Sequence, residues 1–161
     1  MSLTIHRGLS LLAVASTAVA AGAVAAPAVA QAAPVSGFSA ALGLPTCTDV
    51  TKVPVYSFYF LIPSVGHNDH NYNCVLGQGN VSGAVLKVQQ ALNKCYGAGI
   101  AEDQNFGPQT ESALRGAQNK EQVAADGVYG PATAARLHWP AYSSTDNKFL
   151  DTCASVSFLF A

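Results

Sequence analysis

The sequence predicts a mainly α fold: a small three-helix bundle with two Gly-Pro turns, flanked by extended or short β segments tied on by disulfides. Three observations predict it. The stretches "DQNFGPQT" (103–110) and "DGVYGPAT" (126–133) both spell Asp-x-x-aromatic-Gly-Pro-x-Thr, 23 residues apart, and Leu114 and Leu137 keep that offset. Val85, Val88 and Leu92 fall at i, i+3 and i+7, on one face of a helix. Four cysteines, Cys47, Cys74, Cys95 and Cys153, sit in a chain of 161 residues.

Residues 1–32 read as a signal peptide. Arg7 precedes an uncharged run rich in Ala, Val and Leu, and Ala28-Val29-Ala30 or Ala30-Gln31-Ala32 fits small-x-small cleavage. A retained anchor is the rival, since about 20 apolar residues span a bilayer. Cleavage leaves a chain with no membrane attachment, and loss of Arg7 moves the formal charge of −1 one unit more negative. Charged residues make up only 11% and form no basic stripe, which argues against nucleic acid.

Residues 33–80 form a Pro/Ala/Gly/Ser linker followed by an extended segment. Within it, 53–65, "VPVYSFYFLIPSV", is aromatic and β-branched and reads as a strand or extended packed segment. The stretch 66–73 is a polar loop, and 74–83 a glycine-containing connector. A first helix runs from Gly83 to about Cys95, with Gly97 or Gly99 available as its cap. Each Gly-Pro opens a further helix, because proline suits the first helical position and glycine the turn before it. The third helix reads through Leu137 to Trp139, closed by Pro140; the tail 140–161 is polar to Cys153 and then strand-like.

An even cysteine count in a short exported chain reads as two disulfides, with zinc the weaker competitor because no Cys-x-x-Cys occurs. The expected pairs are Cys74–Cys95 and Cys47–Cys153. The first helix is about 18 Å long, and the connector from Cys74 can extend roughly 30 Å, enough to run back along it.

These residues also carry a family resemblance. "VLKVQQALN" (85–93) resembles the "V-x-x-L-Q-x-x-L" opening helix of the three-helix peptidoglycan-binding domain. The two turns, Ala117-Gln118 and Leu137 resemble the rest of that module in order and spacing, over 81–139. The resemblance implies a secreted, cell-wall-associated, non-catalytic attachment module, usually beside a hydrolase, with peptidoglycan as partner and no cofactor. Two departures stand out: Asp103-Gln104 where the family has Asp-Gly, and Ala117-Gln118 where it commonly has Phe-Gln.

The candidate ligand-binding set is Asp103, Phe106, Thr110, Leu114, Gln118, Asp126, Tyr129, Thr133, Arg136 and Trp139. The preferred site is a groove between the second and third helices, floored by Leu114 and Leu137 and edged by Gln118 and Arg136, holding the peptide stem. Phe106, Tyr129 and Trp139 either stack on sugar rings or anchor the core. Asp103 and Asp126 are placed to hydrogen-bond turn amides. Arg115 and Arg136 either meet a carboxylate or line a solvated face.

Two other readings compete. His67, Asp69 and His70, with His138 distant, have zinc-ligand chemistry, but no helical His-Glu-x-x-His occurs and 33–80 holds no catalytic domain. No catalytic or metal residue is therefore expected. Alternatively, an accessory or inhibitor protein binds a cell-wall hydrolase through Tyr56, Phe58, Tyr59 and Phe60, if that patch is exposed.

Overall fold

The structure, a computed structural model, describes residues 43–160; the expected leader 1–32 and the linker up to residue 42 lie outside the described residues. Strand β1 (Asp49–Val55) and strand β2 (Phe58–Ser64) pair antiparallel from Asp49↔Ser64 to Val55↔Phe58, so the stretch expected as one extended segment is a hairpin. In β1, buried Thr51 and Val53 alternate with exposed Lys52 and Pro54, the period-two pattern of a strand with one covered face. The turn is Tyr56-Ser57.

Helix α1 (Gly83–Tyr96) starts where Ser82 caps it, Oγ accepting from Val85 N, and stops at Gly97, whose φ of 66° supplies the left-handed turn. Helices α2 (Pro108–Lys120) and α3 (Pro131–Arg136) open at their Gly-Pro steps, with prolines at the first helical turn. Strands β3 (His138–Ser143) and β4 (Phe149–Ser155) then form a second hairpin. The sheet runs β1-β2-β3-β4, all antiparallel, and α1 packs on all four strands and on α2.

The protein is therefore not a mainly α bundle. Three helices form, but α3 has only six residues, and a four-stranded sheet takes the place of loose flanks. The third helix ends at Arg136 because Leu137 turns to ψ 139°, and Trp139, ahead of Pro140, lies in a strand. The tail's strand is 149–155, before the apolar end, whose Ser157–Leu159 is a single 3-10 turn. Energetics favour this arrangement. A bundle of some 60 residues buries too little surface to be comfortably stable. Here Val53, Phe60, Ile62, Trp139 and Ala141 from the strands join Val85, Val88, Leu92, Phe106, Leu114, Tyr129 and Leu137 in one core.

The disulfides also differ from expectation: Cys47 pairs with Cys74, and Cys95 with Cys153. The connector after Cys74 has the reach to return along α1 but is held at the opposite end. Leu76 exchanges backbone hydrogen bonds with Tyr129, Gly79 N donates to Phe106 O, and Ser82 N donates to Gln104 O. Those bonds fix Cys74 beside Cys47, whose N–H donates to Val75 O, and leave the far end of α1 to β4. Closing loops of 27 and 58 residues contributes, in a chain-entropy account, about 3.5 and about 4 kcal/mol.

Candidate functional site

The two repeated turns are built around two buried glutamines. Gln89 of α1 serves the first turn: its Oε1 accepts from Gln104 N at 3.0 Å. Its Nε2 donates to Asp103 Oδ1 (2.8 Å), Asn105 O (3.0 Å) and Thr110 Oγ1 (3.2 Å). Gln118 of α2 serves the second identically: Oε1 accepts from Gly127 N at 2.8 Å. Its Nε2 donates to Asp126 Oδ1 (2.9 Å), Val128 O (2.9 Å) and Thr133 Oγ1 (3.0 Å). Asp103 Oδ1 also accepts from Asn105 N, and Asp126 Oδ1 from Val128 N, both at 2.9 Å. The Gln89 carboxamide, then the Asn105 amide, hold the Asp103 carboxyl below its usual range.

This network decides what most of the sequence-selected residues do. Thr110, Thr133 and Gln118 are buried and spend their polar atoms inside the turns. Asp103 and Asp126 are exposed, yet their bonded oxygens point at the turn backbone rather than at the first amides of the following helix. Phe106, Leu114, Tyr129, Leu137 and Trp139 are all 0% exposed. They anchor the turns from beneath, and Trp139 Nε1 donates to Ala134 O at 3.2 Å. With Leu114 and Leu137 covered, they do not floor an open groove. Arg136 is exposed, while Arg115 is held by Glu111 at 2.7 Å and by Ala125 O at 3.0 Å. The ten residues form the frame of a site more than its surface.

An open surface lies next to that frame. A cleft of about 400 Å³ runs between the end of α1 and the outer side of α2, lined by Tyr96, Ala98, Ile100, Gln109, Ser112, Ala113, Gly116, Ala117 and Lys120. Ser112, Ala113, Gly116 and Ala117 occupy two adjacent rows of one helix face, so α2 presents backbone, methyl groups and the Ser112 hydroxyl there. Tyr96 forms one wall and is fixed at both sides of its hydroxyl: it donates to Glu121 Oε1 (2.8 Å) and accepts from His138 N (2.7 Å). Burial, followed by Glu121, raises the Tyr96 pKa, so the phenol stays protonated. Lys120 brings the cleft's cation, its ammonium 5.8 Å from the Tyr96 ring centre. Tyr96, Ile100, Gly116 and Lys120 were not selected from the sequence; the signal that could have found them is Ala117 standing where the family commonly has phenylalanine.

The histidine-rich loop is occupied otherwise. His67 Nδ1 lies 3.3 Å from Asp49, Asp69 accepts from Gly66 N and Asn71 N, and His70 meets Tyr72 Oη. His138 pairs with Glu121 at 2.9 Å. Among the described residues, no group of three or more His, Cys, Asp or Glu is placed to hold a metal ion. Of the proposed aromatic patch, Tyr59 and Phe60 are buried, Phe58 is half-buried against the core, and Tyr56 is fully exposed.

Two glutamine-pinned turns, the first joined to α1 and the second to α2, define a small module built on a repeated turn–helix unit. Residues 81–137 match the model of the putative peptidoglycan binding domain. A zinc D-Ala-D-Ala carboxypeptidase of Streptomyces albus G is 33% identical over 94 residues, 57% of this chain; the match spans 34% of that enzyme's length. A crystal structure of a peptidoglycan-binding protein from Clostridioides difficile, in complex with glutamine hydroxamate, shares 26% identity. The likeness covers 55% of this chain and 56% of that one, at a TM-score of 0.42.

Proposed function

We propose that this chain is a secreted, non-enzymatic module that binds bacterial peptidoglycan, taking the peptide stem in the cleft along α2. The family of residues 81–137 supports the partner. The observation that carries the site is the cleft's chemistry: small side chains on α2, a fixed tyrosine wall and a lysine at its end. A stem ending in alanine residues offers methyl groups that need shallow, close backbone approach, and a terminal carboxylate that Lys120 complements. The carboxypeptidase relative acts, by its name, on D-Ala-D-Ala, which is the same kind of ligand. The two disulfides suit an oxidising, extracellular setting. A single shallow site buries little area, so the dissociation constant falls between about 1 µM and 1 mM.

The test is co-sedimentation of the secreted protein with purified sacculi and with glycan stripped of its peptides. Wild type pellets with intact sacculi, and Lys120→Ala weakens this by about tenfold, a charged pair being worth some 1–1.5 kcal/mol at a half-dry site. Undiminished binding of Lys120→Ala, with Arg136→Ala abolishing it, would move the site to the α3 side. No pelleting above an unrelated secreted control would remove wall binding altogether.

A further inference from the structure

The β1–β2 turn carries a feature that packing does not explain. Tyr56 is the first residue of a two-residue turn and is 100% exposed, at φ +52°. That position favours glycine, asparagine or aspartate, and a bulky residue there is a backbone outlier. Tyr56 thus has an unfavourable backbone conformation and leaves a large aromatic ring in water. Strain at an exposed loop tip points to function when the surrounding structure holds it in place.

The surroundings do hold it. Ser144 N donates to Ser57 O at 2.9 Å, locking the tip against the β3–β4 turn. Beneath, Tyr59 Oη donates to Asn147 Oδ1 at 2.9 Å, and the Tyr59 ring stacks on Tyr142 at 5.6 Å. The Lys52 ammonium closes the other side, 3.9 Å from the Tyr59 ring centre. Tyr56 is therefore presented from a rigid base. The two turns so joined expose Ser57, Ser144, Thr145, Asp146, Asn147 and Lys148, with Lys148 3.4 Å from Asp146. An aromatic anchor for a protein partner sits at the centre of an apolar, water-excluding patch. The exposed side chains of these two turns carry instead hydroxyl, carboxamide, carboxylate and ammonium groups. An aromatic face flanked by short hydrogen-bonding side chains is what a pyranose ring requires: C–H groups stack on the ring while hydroxyl and acetamido groups meet the polar rim.

We infer that Tyr56 and the β3–β4 turn form a second contact, for the N-acetylated glycan strand of the wall, separate from the α2 cleft. This rests on the wall-binding reading and adds the sugar chain to it. A glycan and a stem held at two places on one chain gain affinity through effective concentration, so each contact can be weak alone.

The test uses the full secreted chain and a β-1,4-linked N-acetylglucosamine tetramer, followed by NMR shift perturbation, beside an alanine-terminated stem peptide and intact sacculi. Tyr56→Asn removes the ring while suiting the positive φ, so its thermal midpoint equals or exceeds the wild type's. Expected is millimolar tetramer binding with shifts in residues 55–58 and 143–149, weakened about tenfold or more by Tyr56→Asn. Tyr56→Trp retains it, and stem-peptide binding does not change. Tetramer binding that survives Tyr56→Asn, or wild type that pellets with sacculi but ignores the tetramer, overturns this inference alone. Wild type that fails to pellet with sacculi overturns it together with the reading it rests on.

Discussion

Gln118 Oε1 accepts from Gly127 N at 2.8 Å, and Gln89 Oε1 accepts from Gln104 N at 3.0 Å, so two glutamines on different helices play one role in two copies of a turn. Each carboxamide joins a helix to the loop that starts the next. The turns are thereby built into the core rather than resting on it.

Replacing either glutamine by alanine removes the acceptor of a turn amide, Gln104 N or Gly127 N, takes a donor from a buried threonine hydroxyl and opens a small cavity. Gln118→Ala and Gln89→Ala should each cost about 2–4 kcal/mol. Gln118→Leu, which fills the space without the bonds, should recover at most about 1 kcal/mol of that loss. Urea unfolding measures both; a loss below about 1 kcal/mol for Gln118→Ala would show that the network is not what holds the second turn.

Gln104 adopts φ +67° and its repeat partner Gly127 φ +73°, so the position does require the left-handed region. Gln104→Gly should stabilise by about 0.5–1 kcal/mol. Gly127→Ala should destabilise by more than that, because an added Cβ would lie 2.6 Å from Glu111 Cγ and 2.8 Å from Arg115 Nε. Equal and opposite effects, or a neutral Gly127→Ala, would contradict the close approach and leave only the backbone preference.

Much of this was legible in the sequence. The repeat and the helix starts at Pro108 and Pro131 follow from local chemistry, which tertiary context did not override; at Gln104 the only signal of the positive φ was the glycine that the resembled family has there. Gln89 was visible only as part of an amphipathic helix, because nothing local says that a polar residue on its buried side will bond 14 residues ahead. The sheet was hidden for a different reason. A hairpin turned at Tyr56-Ser57 lacks the Asn-Gly or Gly-x signal, and the pairing of β2 with β3 joins segments some 80 residues apart. The cleft is defined by absent side chains on α2, which a search for chemically reactive residues passes over.

Asp103 has a pKa lowered by the Gln89 carboxamide and the Asn105 amide. A depressed folded-state pKa stabilises at pH above the ordinary 3.8, and that contribution is lost as pH falls through the folded value. The first turn should therefore loosen below about pH 4, and Asp103→Asn should flatten the fall in stability there without abolishing it, since Asp49 and Asp146 are also depressed. Urea midpoints from pH 2 to pH 6 test this. An identical slope in wild type and Asp103→Asn would show that Asp103 carries no linked proton.

Gly116→Leu is the sharpest probe of the proposal that the wall peptide sits on the face of α2. A Cβ at Gly116 meets nothing within 4 Å, and replacing a mid-helix glycine should raise stability by about 0.5–1 kcal/mol. The same side chain fills the cleft. Gly116→Leu should give a protein that melts at or above the wild-type temperature and no longer pellets with sacculi or binds an alanine-terminated stem peptide. A stable Gly116→Leu protein that binds both as well as wild type would contradict it.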